Sequence, residues 1–483
     1  MEKSPSLIKA LIPVIFLIVL LAYNVIFVFG DDALAGSNQI ILLLAAGVAA
    51  VVGIAEGIPW KTMRDGITAS IASTVPSLIL LLFIGALAGT WLVSGIIPAM
   101  IYYGLDLLHP SIFLVASCLI CAIVSLATGS SWSTIATVGI ALLGIGKALG
   151  ISEAVIGGAV ISGAYFGDKI SPMSDTTNLA PAMAGTDLFT HLRYMLYTTV
   201  PSITITLLIF LIMGLNSSSN VSMADASLIQ DELDATFNIN GWLFLVPITV
   251  IAMIVKKVPA IPALVIGVLL AALFAVIFQA DLILGLAAGS GGFAAYYTVI
   301  MDAMAVSVAI PAENPLLADL LTSGGMSGMM NTIWLIVCAM TFGGVMESTG
   351  FLETLSSALI KRAKSTTALV STTVATCLTL NVTASDQYLA IVVPGRMYAD
   401  VFKKRGLAPQ VLSRTLEDSG TVTSVLIPWN TCGATQAAIL GVATLSYAPF
   451  TFFCILSPIM TIVFAAFNIK IARIPKADSL PSH

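Results

Sequence analysis

EAVIGGAVISGAYFGDKISPMSDTTNLAPAMAGTD, residues 153–187, decides the fold class. Its first half is apolar and rich in small residues. At Gly167-Asp168-Lys169-Ile170-Ser171-Pro172-Met173-Ser174-Asp175-Thr176-Thr177-Asn178 that pattern gives way to two acids, a lysine and a set of hydroxyl and amide side chains around a proline, and it then turns apolar again. The whole segment is long enough to cross a bilayer. Proline removes one N–H and frees a carbonyl one turn back. The segment therefore predicts two half-helices joined by unwound backbone. In lipid, such backbone is tolerated only where protein or a water-filled cavity supplies hydrogen-bond partners.

The rest of the chain places this segment in a membrane. Of 483 residues, 58% are hydrophobic and 9% charged, against about 25% charged in soluble domains. No soluble fold of this length hides so much apolar surface. The net charge of −5 and the lack of a basic stripe exclude a nucleic-acid partner. Cys118 and Cys121 form a CxxC inside an apolar run and read as small helix residues rather than a zinc or redox site. His109 and His191 sit at helix ends, His483 ends the chain, and none has metal-ligand company. There is no G-x-x-x-x-G-K loop for ATP and no nucleophile elbow, so neither an ATP-driven pump nor an enzyme is expected, and no cofactor. The first apolar stretch, 7–29, is too long for a signal-peptide core and reads as a retained helix.

Long apolar runs lie at 7–29, 39–57, 67–93, 110–127, 195–214, 241–255, 259–279, 326–346, 366–382 and 447–469. Runs interrupted by Gly, Pro, Ser, Thr or Asp lie at 131–149, 153–187, 283–311, 385–401 and 407–442. The fold class is all-α, a polytopic membrane protein of about 10 to 13 transmembrane segments. Lys3, Lys9, Lys61, Arg64, Lys256, Lys257, Lys361, Arg362, Lys364, Lys403, Lys404, Arg405, Lys470, Arg473 and Lys476 fall at ends that the positive-inside rule puts in the cytoplasm. The expected location is the inner membrane, with both termini cytoplasmic. Asp31–Asp32 and the acidic stretch 216–238 then face outward, the latter as a solvated loop.

The chain also repeats itself at a spacing of about 255 residues. Gly95 and Thr128 stand as far apart as Gly350 and Thr383, and each Thr opens a polar break. Gly150 and Gly406 are each followed 22 residues later by a proline, Pro172 or Pro428, in a polar cluster. Residues 102–109 (YYGLDLLH) have no Lys or Arg, whereas their counterpart 357–364 (SALIKRAK) has three, so the halves are expected to be inverted. Two inverted-topology repeats with broken helices and re-entrant hairpins are a pattern of secondary transporters. We divide the chain into an N-terminal two-helix extension (1–66), a first repeat (67–215), an external acidic linker (216–240), connecting helices (241–325), a second repeat (326–470) and a cytoplasmic tail (471–483).

The chemistry is expected at the breaks. Carbonyls freed by proline, with Asp, Ser, Thr and Asn oxygens, suit a small hard cation. Intramembrane acids are costly and usually functional. The candidate ion-binding residues are Asp168, Asp175, Ser171, Thr176, Thr177 and Asn178 at the first break, with Asn430 and Thr431 at the second. The polar tips Thr128, Ser130 and Ser131, and Thr383, Ser385 and Asp386, are placed to meet them. Na+ is expected at Asp168 and Asp175, where a proton competes for the same carboxylates. Lys169 is expected to modulate, by a salt bridge to one of these acids or by occupying the site when it is empty. Glu417 and Asp418 follow Arg414 by three and four residues and read as a helical ion pair; Glu347 reads as a helix cap.

The run SGAYFGDKISPMSDTTNLAPAMAGTDLFTHLRYMLYTT (162–199) resembles the signature region of the NhaC-type Na+/H+ antiporter family. LEDSGTVTSVLIPWNTCGATQAAILGVAT (416–444) resembles that family too. The resemblance implies a fold of the ion-transporter superfamily, with tips at 128–131 and 383–386, unwound segments at 168–178 and 424–435, a scaffold and a moving domain, and a homodimer. It implies Na+ and H+ as the transported ions. Members also include sodium-coupled exchangers of organic acids or amino acids, of malate/lactate type, which is the alternative reading. Arg396 and Arg414 are the candidates for holding an organic carboxylate. The remaining partner is membrane lipid.

Overall fold

The computed structural model describes residues 5–29, 36–216, 223–287, 291–360 and 363–474. Asp31–Asp32, Lys3, Lys361, Arg362, Lys476, His483, part of the acidic linker and the tail from 475 lie outside them. Among the described residues, eight helices are long and apolar enough to cross a membrane, or up to ten when each of two bent pairs is one span. They include Leu7–Phe29, Ser37–Ala55, Trp60–Val93, Pro110–Thr128, Ser131–Ala148, Leu188–Asn216, Ala260–Phe278 and Gly325–Ser348. Ser131–Ala148, read above as an interrupted run, is among them. The 366–382 run is not, although it forms the helix Thr366–Thr383, because threonine and serine dilute its apolarity. One two-residue antiparallel pair, Val308–Ala309 with Thr322–Ser323, closes a connecting loop. Large apolar side chains such as Ile123, Leu208, Leu269 and Phe293 lie exposed along the helices, as a bilayer solvent permits.

The repeat is visible in the backbone. Ile96–Leu107, Pro110–Thr128, Ser131–Ala148, Glu153–Ile170 and Asp175–Ala184 find counterparts in Phe351–Ile360, Thr366–Thr383, Leu389–Lys404, Pro409–Leu416 with its extension through Leu426, and Thr431–Leu440. The left-handed joints recur in step: Gly95 with Gly350, Gly129 with Ser385, Gly150 with Gly406, Gly185 with Gly441. The interior is divided as well. One apolar cluster gathers most of the first repeat and the connecting helices together with most of the 422–454 part of the second repeat; the other two gather the N-terminal pair and the rest of the second repeat, with Ala180, Ala184 and Tyr194 of the first.

Small residues set the closest approach. Gly163 and Gly167, one turn apart on Glu153–Ile170, press against Pro110–Thr128. A Cβ on either would lie 2.0 Å from the Cys118 carbonyl oxygen or 2.3 Å from that of Ala122. This is the small-xxx-small packing of membrane helices, where backbones must nearly touch.

Two expectations change. The acidic linker is not simply a solvated loop: Met223–Thr236 is a helix, with Ile229, Leu233 and Phe237 buried at intervals of four. It lies against Ile96–Leu107, and the Gln230 amide donates to the Tyr102 carbonyl (3.0 Å) and to Asp106 (2.9 Å). The apolar stripe suffices to dock it, and the surrounding acids hid the stripe. Trp60–Val93 is one helix of 34 residues that runs straight through the 66/67 boundary.

Candidate functional site

Each repeat brings a hairpin tip to a broken helix. In the first, Pro110–Thr128 ends at Gly129, whose φ is +71°. A Cβ there would sit 2.7 Å from that of Met173, so the tip lies directly on the break. The Ser130 hydroxyl accepts from the Ser133 amide and caps the next helix. That helix aims its N-terminus at Asp168: the Ser131 amide (3.1 Å) and hydroxyl (2.7 Å) both donate to one carboxylate oxygen. The positive end of a helix dipole suits an anionic group there.

The break runs over Ser171–Ser174, between Glu153–Ile170 and Asp175–Ala184. Several sequence candidates hold the break itself. The Thr177 hydroxyl donates to the carbonyls of Asp168 (3.2 Å) and Lys169 (3.0 Å), and the Asn178 amide to those of Pro172 (3.0 Å) and Ser174 (2.7 Å). The Ser171 hydroxyl donates to Leu126 on the hairpin (2.9 Å). Thr176 and Ser174 share a hydroxyl contact of 3.1 Å, and Thr176 donates onward to Glu417 (3.1 Å).

The second repeat uses the same geometry with neutral groups at the break and one acid, Asp386, at the tip. Ser385 carries the left-handed turn at φ +59°. The Asp386 carboxylate accepts from the Leu389 amide (3.0 Å) and starts the outgoing helix. The Ser385 carbonyl accepts from the Thr431 amide (3.0 Å), and the Val382 carbonyl from the Trp429 indole (2.8 Å). The Asn430 amide donates to Asn381, and its carbonyl accepts from the Cys432 amide. The Thr383 hydroxyl turns back onto its own helix, to Thr379.

A cavity of about 1050 Å³ opens where these parts meet. Asp168, Asp175, Glu347 and Asp386 line it, with Thr128, Ser130, Thr176 and Thr431; Lys257 lies at its edge. Among the described residues, no three His, Cys, Asp or Glu side chains converge as they would on a tightly chelated metal. The candidates Ser131, Ser171, Thr177, Asn178, Thr383, Ser385 and Asn430 stand behind the lining rather than on it.

Lys169 takes a partner the sequence reading did not give it. Fully buried, it is bonded to Asp418 of the second repeat and not to Asp168 or Asp175. It also donates to Ser457 (2.7 Å), and Asp418 accepts from Thr198 (2.8 Å) and Ser457 (3.1 Å). The ion pair expected between Arg414 and these acids is absent. Arg414 stacks 4.5 Å from the Tyr194 ring, and among the described residues its guanidinium nitrogens have no hydrogen-bond partner. Glu417 and Asp418 turn away from it because the helix widens into a π turn over Glu417–Thr421. Glu347 lines the cavity instead of capping a helix. The signal for all three acids was their charge within apolar sequence.

A model of the Na+/H+ antiporter family matches residues 163–469, which include both breaks, the second tip and the Lys169–Asp418 pair. The chain belongs to the Na+/H+ antiporter family. The Na+/H+ antiporter NhaC of Alkalihalophilus pseudofirmus is 36% identical over 89% of this chain and 90% of its own length. The malate-2H+/Na+-lactate antiporter of Bacillus subtilis is 36% identical over 85% of each. The arginine/ornithine antiporter ArcD of Halobacterium salinarum is 34% identical over 96% of this chain and 92% of its own. This chain is therefore a multi-pass membrane transporter of the antiporter class.

Proposed function

We propose that the chain exchanges Na+ for H+ across the inner membrane, with the two ions competing for the carboxylates of the first break. The observation that carries this reading is the composition of the cavity wall: Asp168, Asp175, Glu347 and Asp386 against Lys257. Such a wall attracts monovalent cations and repels a dicarboxylate, which favours cation exchange over the malate-type alternative. Asp168 is the principal ligand, because it lines the cavity from the break itself and Ser131 holds its carboxylate in place. Sodium or a proton neutralises it, but not both together, and that exclusion couples the two fluxes. The positive-inside pattern, with Lys257 at the rim, supports a cytoplasmic opening for the cavity and cytoplasmic termini.

One observation favours a second reading. The cavity is far larger than a lone ion needs, which suits an organic solute bearing an ammonium group, exchanged against sodium. Proteoliposomes with a pH dye inside and sodium pulses outside separate the two. Proton movement with sodium alone, abolished by Asp168→Asn, supports Na+/H+ exchange. Silence until an amino acid or organic acid is added overturns it.

A further inference from the structure

A second cavity, of about 660 Å³, is lined by Glu153, Asn331, Thr332, Pro428, Ala437 and Ser446 among others. Part of its wall is the counterpart of part of the first cavity's wall under the internal repeat. Pro76, Ser77, Leu80 and Pro172 line the first; Asn331, Thr332, Leu335 and Pro428, each 255 or 256 residues later, line the second.

The two cavities open toward opposite ends of the same helices. On the helix Met330–Ser348, Asn331 and Thr332 face the second cavity and Glu347 the first. Sixteen residues of α-helix span about 24 Å, most of the roughly 30 Å hydrocarbon thickness. Glu153–Ile170 gives the same result independently, with Glu153 at the second cavity and Asp168 at the first. Between them stands the second break: Thr431 faces the first cavity, while Pro428 and Ala434 face the second. The partition is there about one helical turn thick.

From this we infer that the second cavity is the far mouth of the transport route, a vestibule for a hydrated monovalent cation, closed off in this conformation by the Pro428–Ala434 segment. The inference rests on the cation-exchange reading and adds a location to it. Glu153 and the Asn331, Thr332 and Ser446 side chains give the vestibule its polar lining. Lys147 holds Glu153 at the rim (2.6 Å) and reaches Asp319 (2.6 Å) from the same nitrogen, tying the rim to the connecting segment.

Thiol labelling from each membrane face tests this, since all six native cysteines are buried. Thr332→Cys and Ser73→Cys are each exposed to a membrane-impermeant, positively charged thiol reagent in right-side-out and everted vesicles. Ala437→Cys replaces the first variant if that fails to fold. Labelling of the two cavities from opposite faces, with at least a tenfold loss of exchange once position 332 or 437 is labelled, is the expected result. Labelling of both cavities from one face, no labelling of the second cavity from either face, or full exchange after it is labelled overturns the inference. If wild-type protein moves no protons on a sodium pulse, the ion assignment fails, while the sidedness of labelling still decides the route.

Discussion

The two breaks share a backbone and differ in chemistry. Both place a left-handed tip against an unwound, proline-bearing segment at nearly the same spacing. The first is fastened through a carboxylate, Asp168 on Ser131, and adds Asp175 at the head of its second half-helix. The second is fastened by Trp429, Asn430 and Thr431, with no charge in the break. The repeat thus supplies a scaffold twice, while the ionisable groups of the break are supplied once. In the reading proposed above, the first repeat brings its carboxylates to the cavity on the break, Asp168 and Asp175, while the second brings Asp386 from its tip.

The join between the halves gives the largest expected effect. Lys169→Met strands the buried Asp418 and should destabilise the protein by about 3–5 kcal/mol. Lys169→Met with Asp418→Asn should recover most of that loss in a thermal melt in detergent. No recovery would mean that Lys169 acts elsewhere. Next is the asymmetry of the breaks. Asp168→Asn should slow sodium-driven proton flux about a hundredfold, or about 2.7 kcal/mol. Asn430→Ala, at the matched place, should cost about 1–3 kcal/mol of stability yet leave exchange per folded molecule within a few-fold of wild type. Equal losses of flux would erase the distinction. At the tips, Gly129→Ala combines a left-handed φ, roughly 1–2 kcal/mol for an L-residue, with a clash on Met173. Ser385→Gly relieves the strain at the matched tip, so the two changes should move the melting temperature in opposite directions.

The smallest effect lies outside the membrane. Asp187 caps Leu188–Asn216 by accepting from the Thr190 amide (2.9 Å), and Thr190 holds its carboxyl below the usual carboxylate range. A folded-state value below the unfolded one stabilises above the unfolded value and loses that contribution as pH falls through the folded one. Asp187→Ala should therefore melt slightly lower than wild type at pH 7, and the gap should close below about pH 4. A gap that persists in acid would point to packing instead of charge.

Much of the fold was legible because the membrane enforces it. Apolar length gave most spans, and the Thr128 and Thr383 tips and the prolines at 172 and 428 gave the repeat. The candidate site was legible only as a neighbourhood of polar breaks. Asp168 and Asp175 could be found because charge inside an apolar segment is rare, but pairing across 249 residues leaves no local trace, so Asp418 as the partner of Lys169 could not be read. The π turn that swings Glu417 and Asp418 off the face of Arg414 is likewise set by tertiary packing. Ser171, Thr177 and Asn178 looked like ion ligands because the same oxygen- and amide-bearing side chains that bind cations also close a broken helix.

The Lys169–Asp418 pair also orders the protein's own making. Ribosomes add about 5–20 residues each second, so Lys169 waits some tens of seconds for a partner 249 residues behind it. Through that interval the lysine lacks the buried partner that it has in the folded chain. The first half of the chain therefore cannot close this contact by itself, and the contact that ties the two halves together is among the last that synthesis makes available.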